Sequence, residues 1–324
     1  MSIDTSKSGV YDVYDQTLLG YEFQKKGQKL LFNKHSYQRQ EYYRKWHTCA
    51  VEKVNKEYHL INNGIINKKD YALLFENEDK KHHIPVEATE QLNIYNEVVF
   101  TSSVMRTLTS ENVRLALFDK YGDLLGYYLP DGYTKDARVV IAQALEYADE
   151  NKRLKIAKKM EIASMHNIRT NLRYYNKSKG NFGDEINALI SFGNTLLYNR
   201  LQQIIWKTQL DSRIGVFHAA NKRHCSLNLD FADLFKPIIV DRVIFALINR
   251  SQLSDEDFVK NQDGSVYLSD DGKRVFIDEF ERKLAAKLEH NGRSVSYHKL
   301  MEEEIWQYYK YISAGEKYTP YKYY

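Results

Sequence analysis

The sequence predicts an α+β protein, with a small N-terminal β domain followed by a larger all-α domain. Three observations carry this. Between Thr48 and Pro130, short runs alternate apolar and polar residues, the period of half-buried strands. After Tyr133 the alternation stops and apolar residues recur at helical spacing. Within the helical part, residues 184–250 read as two apolar helical stretches around a short irregular segment that carries His218, Asp230 and Asp233.

Taken in order, residues 1–47 are polar, charged and rich in tyrosine, and their periodicity does not choose between a hairpin and a short helix. They form an extension of unknown role. Residues 48–133 are the expected β domain. Asn62-Asn63-Gly64 between apolar runs predicts a hairpin, and Lys68-Lys69-Asp70 and Glu78-Asp79 mark further turns. Ile84-Pro85-Val86 reads as an edge strand or a strand start, because proline cannot donate to a ladder. Ser102–Glu111 suits a short helix. Val113–Phe118 and Leu124–Leu129 alternate again around a Tyr121-Gly122-Asp123 turn.

Residues 134–324 are the expected helical domain, with almost no strand after about residue 135. Asp136–Tyr175 reads as one long helical stretch with Val139, Ile141, Ala142, Leu145 and Ala148 as its stripe. Glu185–Leu210 is a second helix, with Ile186, Leu189, Ile190, Leu196, Leu197, Leu201 and Ile204 facing inward. Asp230–Phe235 makes a short helical turn. Pro237 starts another helix, where its missing N–H is tolerated. Phe276–His290 and Ser296–Ala314 are the last two helices.

Composition narrows the function classes. No run approaches the roughly 20 apolar residues that cross a bilayer, and the N-terminus lacks a secretory pattern. Cys49 and Cys225 form no CxxC pair, which excludes a zinc ribbon and fits a reducing cytoplasm. The net charge of +4 decides little, but its distribution is informative. Residues 151–180 hold nine Lys or Arg against one acid, Glu161. Such a stripe suits a polyanion such as DNA, with Lys155, Lys158 and Lys159 as its centre, and it equally describes a solvated helix face. GxxxxGK[ST], GxGxxG and GxSxG are absent, which argues against nucleotide hydrolysis and α/β-hydrolase chemistry.

His218, Asp230 and Asp233 are the candidate chemistry. Asp230 and Asp233, three apart, share one face of a helical turn, and His218 precedes them in a loop between helices. Imidazole with carboxylates suits a metal site for hydrolytic or phosphoryl chemistry. The acid pair alone would serve equally as a helix cap or an ion pair.

Several blocks resemble the CRISPR adaptation integrase family, the metal-dependent nuclease-integrase of spacer acquisition. Asn187–Tyr198, NALISFGNTLLY, is similar to that family's NALLSFGYxLLY helix. Ile214-Gly215-Val216-Phe217-His218 resembles its GFxH segment, and Ser226–Arg242 resembles SLxxDLxEEFRPxxVDR. The IPVE of residues 84–87, Tyr128-Leu129-Pro130, and Tyr297–Tyr321 with Glu303, Gly315 and Tyr318-Thr319-Pro320 fit in family order.

The resemblance implies a site of one Glu, one His and one further acid holding Mg2+ or Mn2+. His218 and Asp233 would be ligands, and Asp230 the acid one turn earlier. It implies insertion of short DNA fragments into a CRISPR array by 3′-OH transesterification, with a homodimer formed through the β domain and a small ferredoxin-like partner protein. Lys222, Arg223 and His224 beside the site would hold phosphates, and they equally describe a solvent-exposed loop. Two departures stand out. The family's Glu-bearing motif belongs between Asn167-Ile168-Arg169 and the NALxSFG helix, yet only about fifteen residues intervene and none matches it. Glu161 and Glu185 are the nearest acids, and neither sits in the matching position. Residues 1–47 match no part of the family pattern. A catalytically degenerate DNA-binding or scaffolding member is the alternative.

Overall fold

A computed structural model of the chain describes residues 13–14, 57–70, 72–77, 80–130, 136–174, 184–218 and 225–323, and every structural statement here concerns those residues. Apart from Val13 and Tyr14, the N-terminal extension lies outside them, as do Lys177, Lys179, Lys222, Arg223 and His224. The fold is α+β: a β-rich region over 57–128, then a mainly helical one.

The β region holds two sheets. Strands β1 (Val13–Tyr14), β2 (Glu57–Leu60), β6 (Gln91–Ile94), β8 (Arg114–Phe118) and β9 (Leu124–Tyr128) form one, in that spatial order. Strands β5 (Lys81–Pro85), β4 (Ala72–Glu76), β3 (Gly64–Lys69) and β7 (Val98–Phe100) form the other. Helix α1 (Ser102–Ser110) adds Val104 and Leu108, four apart, to a core with Leu60, Ile66, Phe75, Ile84, Leu92 and Leu115. β5 is an edge strand and Pro85 ends it, so no ladder donor is lost. The turn between β8 and β9 has Gly122 at φ +93°.

The expected Asn62-Asn63-Gly64 hairpin does not form. β2 pairs parallel with β6, β3 pairs parallel with β7, and the chain steps from one sheet to the other at 61–63 and again at 95–97. The two steps run side by side, with Tyr95 N–H donating to Leu60 C=O at 3.0 Å and Gly64 N–H to Glu97 C=O at 3.1 Å. Gly64 is needed for close approach instead of a turn, since a Cβ there would meet the Phe75 ring and lie 2.8 Å from the Glu76 carbonyl. The hairpin in this region is β3–β4, at Asp70 with φ +52°.

The helical region holds α2 (Ala137–Ala148), α3 (Glu150–Tyr174), α4 (Asp184–Trp206), α5 (Ser226–Phe235), α6 (Val240–Asn249), α7 (Asp270–Ala285) and α8 (Tyr297–Ala314). The expected single helix over 136–175 is two. Asp149 is extended (φ −79°, ψ 96°) and its side chain accepts the Lys152 N–H at 3.1 Å, starting a new helix. The expected apolar stripe of α2 is divided, because Val139 and Gln143 are buried while Ile141 and Leu145 are exposed. Pro237 lies in a turn ahead of α6.

Two hairpins also depart from the near-absence of strand expected after residue 135. β10 (Phe258–Lys260) pairs with β11 (Val266–Leu268), and β12 (Lys287–His290) with β13 (Arg293–Ser296). The second turns on Asn291 and Gly292, both at positive φ, the two-residue turn that matches strand twist. It ends α7 at Ala285, short of the His290 expected from its apolar pattern.

By Cα proximity the chain divides into two compact units. One comprises residues 1–133, 183–192 and 247–282, the other 134–182, 193–246 and 283–324. In the first, Phe192 packs edge-on to Phe276 and tilted against Tyr95, and a Cβ on Gly122 would lie 2.5 Å from the Phe192 ring. These aromatic contacts bring the start of α4 and residues 270–282 of α7 to the sheets.

Candidate metal centre

The candidate residues lie in the second unit, where a loop and one helix bring them together. The loop over 211–218 is held by Gln143, fully buried on α2. Its amide donates to the carbonyls of Asp211 (2.9 Å) and Ile214 (2.6 Å), and its oxygen accepts the Asp211 N–H at 2.9 Å. All three bonds satisfy groups that would otherwise be unpaired. Gly215 is required next. A Cβ there would lie 2.6 Å from Ser226 Cβ and 2.8 Å from Asp230 Oδ2, so only glycine lets the loop approach α5.

That approach lets the Asp230 carboxylate accept three successive backbone N–H groups, those of Val216, Phe217 (3.3 Å) and His218 (2.9 Å). It also accepts His218 Nδ1–H at 2.8 Å. A carboxylate acceptor fixes the proton on Nδ1 and leaves the Nε2 lone pair free. Nε2 faces Asp233 Oδ2 at 3.8 Å. The Asp230 side chain is fully buried, whereas His218 and Asp233 are each about one-third exposed. The hydrogen bond to Asp230 raises the His218 pKa above its ordinary value, against partial burial.

Helix α3 fixes the height of Asp233. Ser164 donates to the Asp233 carbonyl at 2.8 Å, Asn167 to the Leu234 carbonyl at 3.0 Å, and Asn171 to Asp241 Oδ2 at 3.4 Å. The C-terminal residues close over the same stripe. Asn167 Oδ1 accepts the Tyr323 N–H at 2.7 Å, and Arg242 donates to the Tyr323 hydroxyl at 2.9 Å. Lys236 Nζ binds Asp233 Oδ1 at 3.0 Å.

His218 Nε2 and Asp233 therefore converge, while Asp230 is saturated by four donors and orients the imidazole from behind. A nitrogen and a carboxylate at this separation fit a hard divalent cation in donor type. Among the described residues no cluster of three or more His, Cys, Asp or Glu side chains is arranged to hold a metal ion. Glu185 is ion-paired to Lys260 at 2.7 Å in the other unit. Of the basic residues, Lys155 and Lys158 are exposed, whereas Lys159 donates to the Tyr318 carbonyl at 2.9 Å. Gln143, Ser164, Asn171 and Lys236 did not stand out in the sequence. The one signal was Ser164, Asn167 and Asn171 at i, i+3 and i+7, a polar stripe on one helix face.

The family model described as CRISPR associated protein Cas1 matches residues 58–183 and 178–282. The chain belongs to the Cas1 family. A CRISPR-associated endonuclease Cas1 of Thermodesulfovibrio yellowstonii is 31% identical over 327 positions, covering 83% of this chain and 99% of that relative. A Cas1 protein structure from Thermotoga maritima superposes with a TM-score of 0.70 at 26% identity, covering 82% of this chain and all of that one. A casposase bound to integration product shares the fold, with a TM-score of 0.71 at 19% identity over 82% of this chain and 92% of that one.

The Cas1 comparison also exposes a gap. Since 83% of 324 residues is about 269, about 58 of the 327 aligned positions in the T. yellowstonii protein have no counterpart here. The Cas1 family model matches in two stretches that meet at 178–183, between α3 and α4.

Proposed function

We propose that this chain is a strand-transfer subunit of CRISPR spacer acquisition, joining the 3′-OH of a short DNA fragment to a phosphodiester at a repeat boundary. The observation that carries this reading is the aim of His218, whose Nδ1 is held by Asp230 and whose Nε2 is turned toward Asp233. His218 and Asp233 would hold Mg2+ or Mn2+, and Asp230 is the positioning residue behind the imidazole. Such an ion, when bound, supplies charge neutralisation at the phosphoryl oxygens and orientation of the attacking hydroxyl. The new bond forms between the incoming 3′ oxygen and phosphorus, and the bond to the repeat's own 3′ oxygen breaks. Lys155 and Lys158, with Lys222 and Arg223, would carry the backbone of the DNA fragment. Residues 48–133 would form the homodimer, and such dimers would join a small ferredoxin-like partner. No described helix is long and apolar enough to cross a membrane.

One observation favours a second reading. Two donors converge where three hold such an ion well, and no third joins them among the described residues. On this reading the chain binds DNA and assembles without transferring strands. The experiment compares the wild type, His218→Ala and Asp233→Ala for manganese affinity and strand transfer. It uses the partner protein, a duplex with free 3′ ends and a repeat-bearing plasmid. Transfer by the wild type alone supports the first reading. DNA binding with no transfer by any of the three supports the second. Full transfer by both variants removes this centre from the mechanism.

A further inference from the structure

Phe217 is 57% exposed, one residue before His218. Among the described residues between Ile190 and Val259, no other large apolar side chain is exposed. A single exposed phenyl ring is ordinary on a protein surface, so exposure alone assigns nothing. Its setting does. The loop that carries it is fixed by the three Gln143 bonds and by the close approach at Gly215. Asp230 then accepts the Val216, Phe217 and His218 N–H groups. Val216 takes the inward position and is buried, so the next side chain is turned to solvent. The phenyl and His218 rings meet at right angles, with centroids 5.4 Å apart. A perpendicular neighbour covers at most one face of the phenyl ring, and more than half of the residue's surface stays open. The open ring borders a centre otherwise built of His218, Asp230, Asp233 and Lys236.

We infer that Phe217 holds the 3′-terminal nucleotide of the DNA fragment by stacking on its base, an inference that rests on the reading of this centre as the place where that 3′ end is held. Bases stack on aromatic side chains whatever their sequence, because every base has a π face. A base inside a duplex is covered on both faces by its neighbours, whereas a terminal base has one face open. The repeat boundary lies inside a duplex, where the ring could take a base only by unstacking it first. The fragment's end offers an open face on the very nucleotide that bears the attacking 3′ oxygen. A base laid on the phenyl ring sets that nucleotide's sugar beside His218 and Asp233, where the hydroxyl is needed. The contact selects a free 3′ end over continuous duplex, and it does not select a base sequence.

The test reads binding of DNA that cannot react, so its failure is distinct from a failure of strand transfer. The probe is a labelled DNA hairpin with one unpaired 3′ nucleotide that lacks its 3′ hydroxyl. It is titrated with the full chain by fluorescence anisotropy, with manganese present. A second hairpin carries an abasic residue at the same position. Phe217→Ala should weaken binding of the first hairpin about tenfold, the scale of alanine substitution at a base-stacking ring, and leave binding of the second unchanged. Phe217→Trp should bind the first hairpin at least as tightly as the wild type. Because Phe217 is exposed, both variants should keep the wild-type melting temperature and manganese affinity, which a ring that merely supported the loop would not allow. Equal affinity of the wild type and Phe217→Ala for the first hairpin overturns the proposal. So does an equal loss for both hairpins, because the base would then play no part. So does the same tenfold loss for closed circular DNA bearing the repeat, which has no ends and would place the ring on the target duplex.

Discussion

Replacing Glu304 by glutamine should change how stability depends on pH. Glu304 is buried on α8, where its carboxylate accepts the Tyr318 hydroxyl and, at 3.1 Å, the Tyr321 N–H. Burial pushes its carboxyl up to about 7, from 4.5, and the two hydrogen bonds only partly offset this. The folded pKa is the higher one, so the contribution of this group is fully present below about 4.5 and is lost as pH rises to about 7. A rise of about 2.5 units at 1.36 kcal/mol per unit makes the loss about 3 kcal/mol. Glutamine keeps an acceptor for the Tyr321 N–H and a donor that the Tyr318 hydroxyl can accept, and it does not titrate. Burial holds His298 down to about 3 and His82 down to about 4, so both lose stability in the opposite direction, as pH falls below their ordinary 6.5. Both act equally in the two proteins, and the difference between wild type and Glu304→Gln isolates the carboxyl. Urea unfolding at half-unit steps from about pH 4 to about pH 9 should show Glu304→Gln gaining on wild type through this window, with no further change above it. Parallel stability curves would refute the reasoning.

Three further outcomes follow from the same geometry. Asp230→Asn removes the charge that gathers three backbone N–H groups and the His218 Nδ1–H; melting should show a loss of about 1–3 kcal/mol, and calorimetry should show weaker manganese binding. Gly215→Ala forces a methyl group against Ser226 and Asp230, so a similar destabilisation of about 1–3 kcal/mol is expected by denaturant titration. Lys155→Glu with Lys158→Glu should weaken duplex binding and reduce its logarithmic salt slope by about 2, whereas Lys159→Glu should also lower the melting temperature because it releases the Tyr318 carbonyl.

What the sequence determined by itself is local or periodic. The strands β8 and β9 with their glycine turn, helix α1, the NALISFG helix and the grouping of His218 with Asp230 and Asp233 were legible. In each, residue spacing sets which side chains share a face. Family membership was legible for a related reason, since ordered blocks of residues survive without knowledge of their contacts. Tertiary structure decided the rest. The Asn63-Gly64 pair looks like a hairpin turn, yet it serves a step between sheets, because whether a glycine relieves a turn or a close approach depends on Phe75 and Glu76 of the paired strand β4. Asn291-Gly292 is the same dipeptide and does turn a hairpin, because the strands on either side of it find each other. Gln143 carries no mark of its task, and its burial is set by the carbonyls of Asp211 and Ile214 far along the chain. The roles of the two aspartates were not separable by spacing either. Asp230 became the holder of His218 because the 216–218 backbone delivers three N–H groups to it, while Asp233, one turn along the same helix, is left with its carboxylate open to Nε2 and Lys236.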